Sequence, residues 1–142
     1  MSIDTQFLRY HTDILEYALG ELNRSGPDKV SRDIYEAACL KEFETVLEQS
    51  GRLLRKGLGV YLAHSLRADR LTFKDVFRRA ARYGLIDPGT CERWLSYRDN
   101  LSSITHDHGE ILPESTLKLL PDFITDSKAL VRVIQTEGAN FS

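Results

Sequence analysis

A chain of 142 residues with 42% hydrophobic and 28% charged side chains, and few Gly and Pro, has the make-up of one folded domain, residues 1–142. That composition excludes a disordered or fibrous chain, and the size allows a sizeable core without staples. The formal net charge is −2, no apolar run nears the roughly 20 residues a membrane span needs, and residues 1–6 lack the basic-then-apolar pattern of a secretory signal.

Two cysteines, Cys39 and Cys91, without C-x-x-C spacing, read as reduced thiols of a cytoplasmic protein. The charge is unevenly spread. Residues 52–85 hold nine basic side chains against Asp69 and Asp75, whereas residues 1–51 hold ten acidic and five basic ones, and residues 86–142 nine and five. Two readings fit this basic 52–82 region: a solvated helix face paired with acidic neighbours, or a patch for nucleotide phosphates, RNA or an acidic partner.

In chain order, Phe7, Leu8, Ile14, Leu15, Ala18, Leu19 and Leu22 recur at helical spacing, so residues 3–23 form a first helix. Ser2 is its expected N-cap, and Ser25, Gly26, Pro27 and Asp28 end it. His11 falls within the periodicity and reads as a surface or interface residue rather than a ligand. A longer helix starts near Ser31, with Ile34, Phe43, Val46, Leu47, Leu53 and Leu54 on its buried side. Gly51, Gly57 and Gly59 weaken its far half and predict a break within 57–59, after which residues 60–66 resume it.

Thr72 and Asp75 have the spacing of a capping box opening a short helix over Val76, Phe77, Ala80 and Ala81, closed by Gly84. Asp87 followed by Pro88 reads as an N-cap with Pro at the first helical position. The helix it starts carries Trp94 and is stopped by Gly109 and Pro113. A last helix covers residues 114–136, with Pro121 expected to end or kink its first segment and the tail from Gly138 expected to fray. No period-two alternation persists long enough for a sheet. The fold class is therefore all-α, an antiparallel up-and-down four-helix-type bundle with a short extra helix.

Polar chemistry concentrates in residues 97–110, which hold Arg98, Asp99, Asn100, Ser102, Ser103, Thr105, His106, Asp107 and His108. Continued as a helix, the segment would align Arg98, Leu101 or Ser102, Thr105 and His108 on one stripe, with Asn100, Ser103 and His106 on the next. A metal site does not fit, because His106 and His108 at i and i+2 diverge on a helix and Cys91 and His64 supply no second pair. Nor is there a G-x-S-x-G elbow or a Gly-rich phosphate loop. A histidine ribonuclease is compatible in residue types: His106 to move a proton and Arg98 to steady phosphorane charge, across two facing copies of the helix. A solvated helix end explains the same residues equally well.

Tyr97, Arg98, Asp99 and Asn100, followed by Ser102, Ser103, Thr105, His106, Asp107, Gly109 and Glu110, resemble the signature of the nucleotidyltransferase substrate-binding subunit family, within the HEPN group of helical proteins. Lys41, Glu42, Phe43, Glu44 and Glu48 agree, as do residues 73–78, Ala81 and residues 84–86, so the likeness covers about residues 30 to 110. The resemblance implies a dimeric helical bundle akin to the helical domain of kanamycin nucleotidyltransferase. It also implies a partner: a separate minimal nucleotidyltransferase that supplies the catalytic carboxylates and binds metal and nucleotide. In related pairs the helical protein is an RNase toxin, silenced when its partner attaches AMP to a tyrosine.

The toxin motif is Arg, four to six intervening residues, then His, with the modified Tyr two positions later. His106 matches the histidine. Leu101 stands at the arginine position of the closest spacing, Arg98 lies seven intervening residues before His106, and His108 replaces the tyrosine. Tyr97 is a candidate displaced acceptor, though its spacing with Trp94 turns it toward the core. These departures favour a non-catalytic substrate-binding subunit, homodimeric through the fourth-helix face. Its expected substrate-binding residues are Arg98, Asn100, Ser102, His106 and His108, with no metal and no cofactor of its own and with nucleotide or RNA as a further candidate ligand. The alternative is a metal-independent RNase with His106 and Arg98 as its catalytic residues; a third reading is a plain helical interaction module.

Overall fold

The structure, a computed structural model, describes residues 3–59, 70–104 and 110–140. Within them the chain forms five helices and no strand: α1 (Gln6–Arg24), α2 (Lys29–Leu58), α3 (Phe73–Arg82), α4 (Pro88–Ser103) and α5 (Glu114–Asn140). The expected Ser2 cap and the resumed helix over 60–66 lie outside the described residues.

Local chemistry sets most helix starts. α1 begins at Gln6, not Ile3, because Thr5 has non-helical backbone and the Asp4 carboxylate accepts the Gln6 N–H at 2.9 Å. α2 begins at Lys29, ahead of Ser31, whose hydroxyl donates back to the carboxylate of the extended Asp28 at 2.7 Å. The Thr72–Asp75 capping box forms in both directions, with Asp75 N–H to Thr72 Oγ1 at 3.1 Å and Thr72 N–H to Asp75 Oδ2 at 3.3 Å. Asp87 caps α4 by accepting the Thr90 N–H at 2.7 Å, with Pro88 in the first turn.

The break expected within 57–59 coincides with the end of α2 at Leu58, capped by Gly59, and Gly51 leaves the helix continuous. α5 passes through Pro121 and past Thr136 to Asn140. Pro121 lies on the exposed face, where water can satisfy the Leu117 carbonyl that the missing proline N–H leaves free.

α1 runs antiparallel to α2 and α5, and α4 runs antiparallel to α5. α1 meets α5 through Thr5 with Gln135, a buried hydrogen bond between Thr12 and Ser127 (2.8 Å), and Lys128 on Glu16. α1 also meets α2, where His11 Nδ1 pairs with Glu42 at 2.6 Å as an interhelical contact. The short α3 lies across α2 and α4.

The core is aromatic where α2, α3, α4 and α5 converge. Phe77 stacks on Trp94 at 4.8 Å, and Phe123 meets Phe43, Trp94 and Tyr97 edge-on at 4.9, 5.6 and 5.0 Å. Trp94, Phe43, Phe77 and Phe123 are fully buried, so each excludes water and fixes its neighbours' ring angles.

Both thiols are buried, and burial pushes Cys39 up to about 12 and raises Cys91 as well. The thiolate is the reactive form. Native protein at neutral pH should therefore leave both cysteines unlabelled by a thiol reagent over minutes, and denaturant should release two thiols per chain. Rapid native labelling would contradict the burial of both thiols.

Candidate functional site

α4 turns three kinds of side chain in three directions. Toward the core go Cys91, Trp94 and Tyr97, spaced by three residues. The Tyr97 hydroxyl donates to Asp126 of α5 at 2.5 Å, and Arg93 grips the same carboxylate through Nε (2.8 Å) and Nη2 (2.9 Å). Burial, then the hydrogen bond to Asp126, holds the Tyr97 hydroxyl far above the usual tyrosine range. At 2% exposure and already bonded, Tyr97 cannot serve as a displaced nucleotide acceptor.

Toward α3 goes Arg98. Its guanidinium carbon sits 5.7 Å from the centroid of Phe73, whose ring in turn packs on Phe77 at 4.7 Å. A cation over an aromatic face gains about 0.5–1 kcal/mol at a partly exposed site and leaves the in-plane N–H groups free to donate. Next to it, Lys74 Nζ pairs with Asp99 at 2.6 Å. Phe73 reaches this place because Gly51 opposite has no side chain: a Cβ there would stand 2.6 Å from the ring.

Toward α5 goes Asn100. Its carbonyl oxygen accepts from Thr116 Oγ1 at 2.7 Å, and its amide donates to Ser115 at 3.2 Å. The carboxamide is thus occupied in tying the start of α5 to the end of α4. Leu101 packs against the core, and Ser102 is exposed.

α4 then stops earlier than the sequence suggests. Ile104 is extended (φ −71, ψ 121), so α4 ends at Ser103. His106 and His108 themselves, with Thr105, Asp107 and Gly109, lie outside the described residues, as does His64. Of the five expected binding residues, the structure places Arg98, Asn100 and Ser102 on the last turns of α4, with Arg98 facing α3 and Asn100 facing α5. Among the described residues no group of three or more His, Cys, Asp or Glu side chains is arranged to hold a metal ion.

Sequence reasoning missed Phe73 and Lys74 as parts of this surface, and Asp126 as the anchor beneath it. Asp126 was detectable as a charge flanked by the apolar stripe residues Ile124 and Leu130 on α5. Asn100→Ala should cost about 1–2 kcal/mol, because the buried Thr116 hydroxyl loses its acceptor. Denaturant unfolding checks this, and an unchanged midpoint would show that the α4–α5 tie is not structural.

Hollows open elsewhere on the described residues. An open groove of about 900 Å³ runs between the start of α1, with Ile3, Phe7 and Tyr10, and Gln135 of α5. A smaller hollow of about 380 Å³ is lined by Arg70, Leu71, Asp75, Arg78, Arg79 and Arg82.

No family model matches the chain. It is 28% identical over 108 residues to a Haemophilus influenzae protein described as probable ribonuclease HepT, an alignment covering 75% of this chain and 71% of that one. Its fold is similar to that of a Haemophilus influenzae protein described as revealing the fold of a substrate-binding domain of a nucleotidyltransferase. There the TM-score is 0.74 at 24% identity, covering 92% of this chain and 98% of the other. The family likeness carried by residues 97–110 and the all-α bundle both agree with these two relatives.

Proposed function

We propose that the chain is the non-catalytic, substrate-binding partner of a separate minimal nucleotidyltransferase, acting in the cytoplasm as a homodimer through its α4-bearing face. The observation that carries this reading is what Leu101 and Arg98 do. Leu101, at the motif's arginine position, packs half-buried against the core, and the guanidinium of Arg98, three residues earlier, is seated on Phe73 toward α3. Loss of one oxyanion donor commonly costs several kcal/mol of transition-state stabilisation. A surface that keeps a fixed cation but offers no cation at the reacting position suits binding better than turnover.

In this reading Arg98 donates its free N–H groups to substrate phosphate or hydroxyl, and Ser102, His106 and His108 complete the contact. Asn100 holds the two helix ends that present them. The partner brings the carboxylates, the metal and the nucleotide, so this chain needs no cofactor of its own. No helix among the described residues is long and apolar enough to cross a membrane.

Mixing the chain with a minimal nucleotidyltransferase of its host should give a stable complex by size exclusion. Transfer should accelerate when the chain is added, and Arg98→Ala should lower kcat/KM at least about tenfold with complex formation intact. Absence of any complex would remove the partner reading. A second reading, a metal-independent ribonuclease using His106 with Arg98, is favoured by the relative described as a probable ribonuclease.

A further inference from the structure

α3 has two unlike faces. Val76, Phe77 and Ala80 are buried against α2 and α4. Asp75, Arg78, Arg79 and Arg82, at i, i+3, i+4 and i+7, form the opposite stripe, about 10 Å long at the helical rise per residue. Beside it, Arg55 of α2 donates to the Leu71 carbonyl at 2.8 Å, which fixes the segment entering α3 and with it the floor of the 380 Å³ hollow.

Four guanidinium groups line this hollow against one carboxylate, in a chain whose formal net charge is −2. The carboxylate is largely committed elsewhere. Asp75 caps the first turn of α3, and its contact with Arg78 is a long 3.7 Å between exposed groups. Among the described residues no carboxylate forms an ion pair with Arg82, and Arg79 shares only the charge of Asp75, which it divides with Arg78. Lys74 is not part of the open set, because Asp99 holds it.

From this stripe we infer that the chain binds the phosphodiester backbone of nucleic acid along Arg78, Arg79 and Arg82. Planar guanidinium forks match phosphate oxygens two at a time, and all four basic groups of the hollow are Arg. The hollow offers no apolar anchor, since Leu71 is 8% exposed and forms its floor. A protein partner would want such an anchor at the centre of its interface. The exposed large apolar side chains of the described residues, Phe7, Tyr10, Tyr17, Val30 and Ile34, sit instead on α1 and the start of α2. With no aromatic side chain lining the hollow, binding is through phosphates and indifferent to base sequence. This inference goes beyond the transferase-partner reading and does not depend on it.

The test is fluorescence anisotropy of the full chain with a labelled 12-nucleotide RNA, a DNA of the same sequence and a labelled poly-glutamate peptide, over a series of salt concentrations. RNA and DNA should bind alike, with log K falling against log salt at a slope of about −2 to −3, as expected for three or four phosphates on a single strand. Arg78→Ala/Arg82→Ala should weaken binding at least about tenfold and flatten the slope by more than one. Arg132→Ala on α5 should leave binding unchanged. Both altered arginines are exposed, so the double variant should melt with the parent. A slope near zero, wild-type binding by the double variant, or poly-glutamate binding as tightly as RNA and lost in the same variant would each overturn the inference. Transferase complex formation, measured separately, reports on the other reading.

Discussion

Asp126→Ala should destabilise the protein by about 3 kcal/mol, lowering its thermal midpoint by about 10 °C. The carboxylate is nearly buried and serves two donors on α4, the Tyr97 hydroxyl and the forked Arg93 guanidinium. Removing it strands the Tyr97 hydroxyl at 2% exposure, which carries most of the cost. Arg93 contributes less, because its side chain is 47% exposed and water replaces the lost partner. Tyr97→Phe alone should cost about 1 kcal/mol, since Asp126 keeps Arg93. In the Tyr97→Phe background, Asp126→Ala should then cost less than in the parent, because the stranded donor is already gone. Denaturant unfolding of the three variants checks this, and strictly additive losses would show that the two residues are not coupled.

Gly51→Val should cost about 2–3 kcal/mol, whereas Gly57→Ala in the same helix should add about 0.5–1 kcal/mol. Intrinsic helix preference favours replacing either glycine by Ala. Space separates them. A Cβ at Gly51 would stand 2.6 and 2.9 Å from the Phe73 ring, and valine adds two methyl groups toward a ring already held by Phe77. A Cβ at Gly57 meets only Ile3 Cδ1 at 3.8 Å, an ordinary contact. Because Phe73 is the seat of Arg98, Gly51→Val should also disturb whatever Arg98 binds, and Gly57→Ala should not. Equal effects at the two positions would mean that propensity, not the Phe73 contact, governs α2.

What the sequence made legible was chemistry confined to a few neighbouring residues. The Thr72–Asp75 box and the Asp87–Pro88 start are readable because donor, acceptor and backbone geometry all lie within one turn. The buried stripes follow from helical spacing, as does the inward turn of Tyr97 beside Trp94. Features that depend on residues distant in the chain were hidden. Gly51 reads as a weak point in a helix until Phe73, 22 positions later, is seen to occupy the space. Asn100 reads as a ligand-binding carboxamide until Ser115 and Thr116 are seen to use it. The end of α4 was misread for another reason. Polar residues fit a helix surface and a loop equally, so residues 97–110 gave no sign that Ile104 turns extended. Pro121 does not end α5, since solvent can satisfy the carbonyl that proline leaves free on this exposed face.

Arg98 is the group on which the functional reading turns. It is a fixed cation, seated on an aromatic ring, on the same face of the molecule as the Lys74–Asp99 pair. Leu101 removes the nearer position from ionic chemistry altogether. The most direct measurement is cleavage of a mixed-sequence RNA by the purified chain in excess EDTA, beside His106→Ala prepared identically. A non-catalytic binding subunit predicts no cleavage above the level of that variant. Metal-independent cleavage that disappears in His106→Ala would contradict the account and make the chain a ribonuclease.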